Sequence, residues 1–170
     1  LGVTYNKIGC LEEAAESYKK ALTINEDYAD AYYNLGVVLI KLGQIHRAID
    51  SYKKALNINP NNADTHNNLG IAFAELELLD DAIQCYHNAI AIQPELASPY
   101  NNLGHTLCKL HRYQEAIISY EKALTIKPNL DYLMGNILNT KMNCCNWDDL
   151  GSLISDVSKK IINNENVIEP

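Results

Sequence analysis

The sequence predicts an all-α protein, a right-handed superhelical solenoid built from helix-turn-helix repeats. Two observations predict it. First, the 170 residues repeat with a period of 34. Leu1-Gly2, Leu35-Gly36, Leu69-Gly70 and Leu103-Gly104 are in phase, as are Ala14, Ala48, Ala82 and Ala116. Tyr18, Tyr52, Tyr86 and Tyr120 form a third column, and Ala21, Ala55, Ala89 and Ala123 a fourth. Second, each period holds two amphipathic stretches separated by a short turn. A unit of this length cannot bury its apolar face alone and must stack on its neighbours.

The elements follow in order. The first unit (1–28) is truncated: its helix A runs to about Ile8 and its helix B covers about 11–24. In the second unit (29–62), helix A is expected over about 29–42 and Leu42-Gly43-Gln44 makes the turn. Helix B then covers about 45–58, and Asn59-Pro60-Asn61-Asn62 ends the pair, because proline cannot continue a helix. Pro94 and Pro128 stand in phase with Pro60, and Glu26 takes that place in the first unit. The third unit (63–96) predicts helices over about 63–76 and 79–92, the fourth (97–130) over about 97–110 and 113–126.

After Pro128 the pattern weakens but keeps its phase. Leu138 falls where glycine is expected, and Leu150, Ile154 and Val157 fall at the seam positions of a helix B. Residues 131–170 therefore read as a degenerate fifth pair, helices about 131–144 and 147–163. Such a unit serves as a terminal cap or a connector.

A glycine inside helix A costs about 1 kcal/mol relative to alanine. Its recurrence at one phase needs a compensating gain. Close approach of helix B is the expected one, with Ala14, Ala48, Ala82 and Ala116 facing the gap and the tyrosines filling the seam beside them.

These residues resemble the tetratricopeptide repeat (TPR), whose helix-A Leu-Gly, helix-B Ala, Tyr and Ala, and closing Pro all fall in register over residues 1–130. Where that family often carries tryptophan early in helix A, this chain has Tyr32, His66 and Tyr100. A narrower resemblance rests on Ala31-Tyr32-Tyr33-Asn34-Leu35-Gly36, Pro99-Tyr100-Asn101-Asn102-Leu103-Gly104, and the segment from Tyr132-Leu133-Met134-Gly135-Asn136 to Cys145-Asn146-Trp147-Asp148-Asp149. It is similar to the end of the repeat array in bacterial relatives of O-linked N-acetylglucosamine transferase and SPINDLY. The resemblance implies a nucleotide-sugar site downstream of Pro170, outside this chain.

The net charge of −7 argues against nucleic acid, which needs a basic footprint. No apolar run reaches the 18 residues of a membrane span. Cys10, Cys85, Cys108, Cys144 and Cys145 are odd in number and lack a CxxC, which reads as reduced, buried thiols in a cytoplasmic protein. No phosphate loop, HExxH or nucleophile elbow occurs. Glu12-Glu13 and Asp80-Asp81 sit at helix starts, where they complement the helix dipole. His105, Cys108 and His111 have metal-like spacing but no fourth ligand. The expectation is a binding module with no catalytic residue, metal or cofactor.

The candidate binding residues are asparagines. Asn34, Asn68 and Asn102 precede the Leu-Gly of helix A, and Asn67 and Asn101 precede two of them. Asparagine is a poor helix-interior residue, so the column needs a reason. The resemblance places them on the inner face of helix A, where amides with both donors and acceptors can pair with the backbone of an extended peptide. The resemblance implies the same, since the transferase arrays carry an asparagine ladder. The competing reading is that the amides satisfy groups of the adjacent repeat. Lys41, His105 and Lys109 complete the candidate groove. Asp30, Asp64 and Ser98 stand where chaperone-binding members use cations, which argues against a carboxylate clamp. The partner is expected to be an extended polypeptide or a partner protein, and homo-oligomerisation is compatible with the same surfaces. Two settings fit: the substrate-recruiting region of an O-GlcNAc-transferase-like glycosyltransferase, or a stand-alone scaffold for complex assembly.

Overall fold

The computed structural model describes residues 2–7, 9–128, 132–145, 151, 154, 155 and 158. These form helices α1 (Gly2–Lys7), α2 (Leu11–Ile24), α3 (Ala29–Lys41), α4 (Ile45–Ile58), α5 (Ala63–Glu75), α6 (Leu79–Ile92), α7 (Ala97–Lys109), α8 (Tyr113–Ile126) and α9 (Tyr132–Asn143). They fall into two compact units, Leu1–Ile92 and Gln93–Pro170. In the first, each helix packs on the next from α1 through α6, and α3 also touches α5. In the second, α7 packs on α8 and α8 on α9.

The four B helices have the bounds expected from the sequence. The three complete A helices are one residue shorter than expected. Their last expected residues, Leu42, Leu76 and Leu110, are C-caps with ψ near zero. The cause is a Schellman motif. Gln44 N–H bonds to Leu39 O at 2.8 Å and Gly43 N–H to Ile40 O at 2.9 Å. Leu78 with Phe73 and Glu77 with Ala74 repeat the pair, as do Arg112 with Leu107 and His111 with Cys108. The motif demands a left-handed residue, and φ is +70° at Gly43 but +58° at both Glu77 and His111. An L residue pays about 1–2 kcal/mol there. Gly43→Ala should therefore lower stability by about 1 kcal/mol, and Glu77→Gly should raise it by about 0.5 kcal/mol after the entropy cost of glycine. Denaturant midpoints moving the same way in both variants would contradict this.

The tyrosine column closes each helical pair. Tyr52 and Tyr86 are 1 % exposed and Tyr120 2 %. A Cβ built on Gly36 would stand 2.5 Å from the Tyr52 ring; on Gly70 and Gly104 it would stand 2.6 Å from Tyr86 and Tyr120. Gly2 meets Tyr18 in the same way. Helix B approaches closely at the glycine as expected, and the residue that makes the contact is what the structure corrects. The glycine is there to let a tyrosine ring lie on the helix A backbone, not to admit the small alanine. The alanines Ala14, Ala48, Ala82 and Ala116 are fully buried in the same seam. Burial pushes the hydroxyls of Tyr52 and Tyr120 above their ordinary range, so the rings stay neutral.

The tail departs from the array. Helix α9 forms over Tyr132–Asn143 and buries Leu133, Met134, Ile137 and Thr140. Ile154, expected at the seam, is 45 % exposed. Its place is the tyrosine position and Leu138 holds the glycine position, so the ring-on-backbone contact has lost both partners. Leu150, Val157, Trp147-Asp148-Asp149 and most of the expected helix over 147–163 lie outside the described residues.

All five cysteines are free thiols. The expectation that they are buried holds for Cys85 alone; Cys10, Cys108 and Cys144 are half-buried and Cys145 is exposed. Cys85 shares the column of Ser51 and Ser119 on the seam face of helix B, each 7 % exposed. Burial, then Asp81, pushes its thiol up to about 11. The thiolate is the reactive form. Alkylation followed by peptide mass spectrometry should label Cys145 first and Cys85 only on unfolding. Equal rates would place Cys85 at the surface.

Candidate peptide-binding surface

The A helices bring the candidate residues to one face within each unit. In the first unit, Val37, Ile40 and Lys41 of α3 and Asn68 and Ile71 of α5 line a hollow of about 180 Å³ whose floor includes Tyr52. That is the share of about six waters. The walls are apolar and the polar groups few. The Lys41 ammonium donates to Asn6 Oδ1 at 2.8 Å.

The asparagines do not behave alike. Asn34 Nδ2 donates back to Asp30 O at 2.7 Å within its own helix. Asn68 Nδ2 instead reaches the preceding repeat, donating to Tyr33 Oη at 3.2 Å. Burial, then the charge of Asp64, raises the Tyr33 hydroxyl above its ordinary value, and the amide of Asn68 opposes the shift. Asn67 is only 7 % exposed, and its amide meets Asn68 Oδ1 at 3.4 Å. Its place is therefore in the helix packing rather than on the open surface expected for it. The bond from Asn68 to Tyr33 is of the kind the competing reading expects, whereas the contact of Asn67 stays within its own helix. Asn34 spends one N–H locally and retains a second N–H and Oδ1.

In the second unit, Asn101 and Asn102 are half-buried on α7, and Asn101 Oδ1 is buried without a hydrogen-bond partner. His105 and Lys109 are exposed on the same helix. The His105 ring meets Tyr120 edge-on at 5.3 Å, and its Nε2 lies 3.4 Å from Asn136 Nδ2. Asn136 was missed by the sequence reading. It stands 34 residues after Asn102 and continues the column onto α9. The period itself contained that signal; Leu138 and Ile162 in place of the phased glycine and proline hid it.

The His105, Cys108 and His111 spacing does not converge. Cys108 Sγ lies 3.4 Å from Thr140 Oγ1 and 3.8 Å from Tyr120 Oη, while His111 Nδ1 lies 2.7 Å from Tyr113 Oη. Asp30, Asp64 and Ser98 are exposed in the first turns of α3, α5 and α7. No helix among the described residues is long and apolar enough to cross a membrane.

Helical pairs closed by a ring on glycine and presenting A-helix faces define a repeat solenoid of the protein-interaction class. The chain belongs to the tetratricopeptide repeat family: a family described as TPR repeat matches residues 2–43 and 38–77, and one described as tetratricopeptide repeat matches 61–129. No curated protein matches the chain. Among solved structures, the chain is similar to MamA, with a TM-score of 0.89 at 24 % identity over 96 % of each chain. It is similar to PilF of Pseudomonas aeruginosa, with a TM-score of 0.83 at 25 % identity over 94 % of this chain and 72 % of that one. YrrB, described as a TPR protein with an unusual peptide-binding site, aligns with a TM-score of 0.76 at 22 % identity over 92 % and 80 %.

Proposed function

We propose that the A-helix face binds an extended polypeptide, with Asn34, Asn68 and Asn102 meeting its backbone and Lys41, His105 and Lys109 set beside them. The observation that carries this reading is the hollow between α3 and α5. It joins Lys41 and Asn68 to an apolar wall in one open site. Asn136 extends the same column. Asn67 and Asn101 then act as supports of the column. YrrB, a solved structure of similar fold, is described as having an unusual peptide-binding site, which supports a peptide as the class of ligand.

Two settings fit this binding. In one, the module recruits substrate to a glycosyltransferase region downstream of Pro170, as the resemblance of residues 132–149 implies. In the other, it is a scaffold in its own right. A downstream nucleotide-sugar-binding region in the parent gene would favour the transferase.

The experiment is selection of extended peptides from an unbiased library against the 170-residue chain, then mapping by amide chemical shifts. The expected result is perturbation at Val37, Lys41, Asn68 and Ile71. Selected peptides that leave all four unmoved would remove the groove from this account.

A further inference from the structure

A second cleft lies in the first unit, on the other side of α3. It encloses about 590 Å³ between α2 and α4. Leu22 of α2 and Tyr32, Leu35 and Leu39 of α3 give it an apolar floor. At 3.6 residues per turn these three α3 residues lie away from Asn34. The cleft is therefore separate from the hollow that holds Lys41 and Asn68.

Its rim carries Lys19, Arg47 and Lys54, with Glu26 and Asp50 also present. With Glu16, which pairs with Lys19, the charges balance, and Arg47 and Lys54 are the rim cations without a carboxylate partner. The cations turn to partners other than the cleft's own carboxylates. Lys19 pairs with Glu16 at 2.9 Å, Arg47 donates to the Gln44 side chain, and the Lys54 ammonium stands 5.5 Å from the centre of the Tyr32 ring. The repeat pattern alone does not account for this. One period later, Arg47 becomes Asp81, Lys54 becomes Asn88 and Tyr32 becomes His66. There the His66 ring bonds across to Pro60 O at 3.0 Å. Lys53 repeats Lys19, and Lys122 and Tyr100 repeat Lys54 and Tyr32, so Arg47 is the cation that sets this cleft apart.

We propose that the cleft binds an acidic peptide segment: one large apolar side chain enters between α2 and α4, and a neighbouring Asp or Glu side chain meets Arg47 and Lys54. Charge complementarity selects this occupant. A guanidinium takes a carboxylate in a planar, two-bond geometry. The exposed Lys54 ammonium, 5.5 Å from the centre of the Tyr32 ring, adds a second cation. The aliphatic floor repays burial of the apolar side chain. The binding is independent of the asparagine column.

The test titrates the 170-residue chain with a fluorophore-labelled, N-acetylated and C-amidated peptide, Asp-Glu-Leu-Phe-Asp-Glu. The expected result is saturable binding that weakens as salt rises. Arg47→Gln combined with Lys54→Gln should weaken it by about ten-fold or more. Both side chains are exposed, so the helical circular dichroism should not change. Lys122→Gln with Lys127→Gln, two exposed cations that line neither surface, should leave the affinity as it was. Equal binding by a peptide with serine at all four acidic positions would overturn the proposal. So would an unchanged affinity in the Arg47, Lys54 variant, or absence of saturation below about 1 mM. Binding that required a free C-terminal carboxylate would overturn its internal-segment form.

Discussion

Gly70→Leu should destabilise the array strongly, lowering the thermal midpoint by several degrees or abolishing a cooperative transition. A bare Cβ at position 70 would already stand 2.6 Å from the Tyr86 ring, well inside contact distance. The ring cannot swing out, because Tyr86 is 1 % exposed between α5 and α6. Overpacking of this kind costs about 1–3 kcal/mol, occasionally more. The gain in helix propensity on leaving glycine is about 1 kcal/mol and offsets only part of it. In a chain of this size 1 kcal/mol moves the midpoint by about 2–4 °C. Because each repeat leans on its neighbours, the loss should spread to α4 through their contact with α5. Gly70→Ala isolates the cause. It adds only the clashing methyl, and pairing it with Tyr86→Leu removes the ring. The two changes should be non-additive, since they share one contact. Strict additivity, or an unchanged midpoint in Gly70→Leu, would show that the ring does not rest on the glycine.

Changing Asn34, Asn68 and Asn102 together to alanine should weaken extended-peptide binding by roughly 10- to 100-fold or more. Each neutral hydrogen bond contributes about 0.5–1.5 kcal/mol net, and three act in parallel. Helical circular dichroism should stay nearly intact, as alanine is the better helix former. The loss should be spread along the ligand and nearly independent of its side chains. The inter-repeat reading predicts the opposite order. If the bond from Asn68 to Tyr33 is the purpose of that residue, the variant melts early and binds normally while folded. That outcome, measured with a library-selected peptide well below the melting temperature, would remove the backbone-pairing role.

Much of this molecule was legible before any coordinates. The 34-residue period located α2, α4, α6 and α8 with their bounds, because helix B is fixed at both ends by turn residues and carries an amphipathic stripe. The buried tyrosine column followed from the same phase. The site was less legible. Asn34, Asn67 and Asn68 read as one kind of residue in the sequence, yet one bonds its own helix, one is buried and one reaches across to Tyr33. Rotamer choice and neighbouring side chains decide that, and neither is periodic.

The chain by itself determined its family, its helical pairing and which face of each helix is buried, because periodicity reports burial directly. Only the tertiary structure decided what each buried position touches. It showed that glycine meets a tyrosine ring rather than an alanine. It showed that Glu77 and His111 take the left-handed place that Gly43 fills freely. And it gathered Lys19, Arg47 and Lys54 from two helices around one apolar floor. Residues 28 and 35 apart in the chain become neighbours only when α2 and α4 flank α3. No spacing rule encodes that closeness, because it depends on how deeply one helix pair settles against the next.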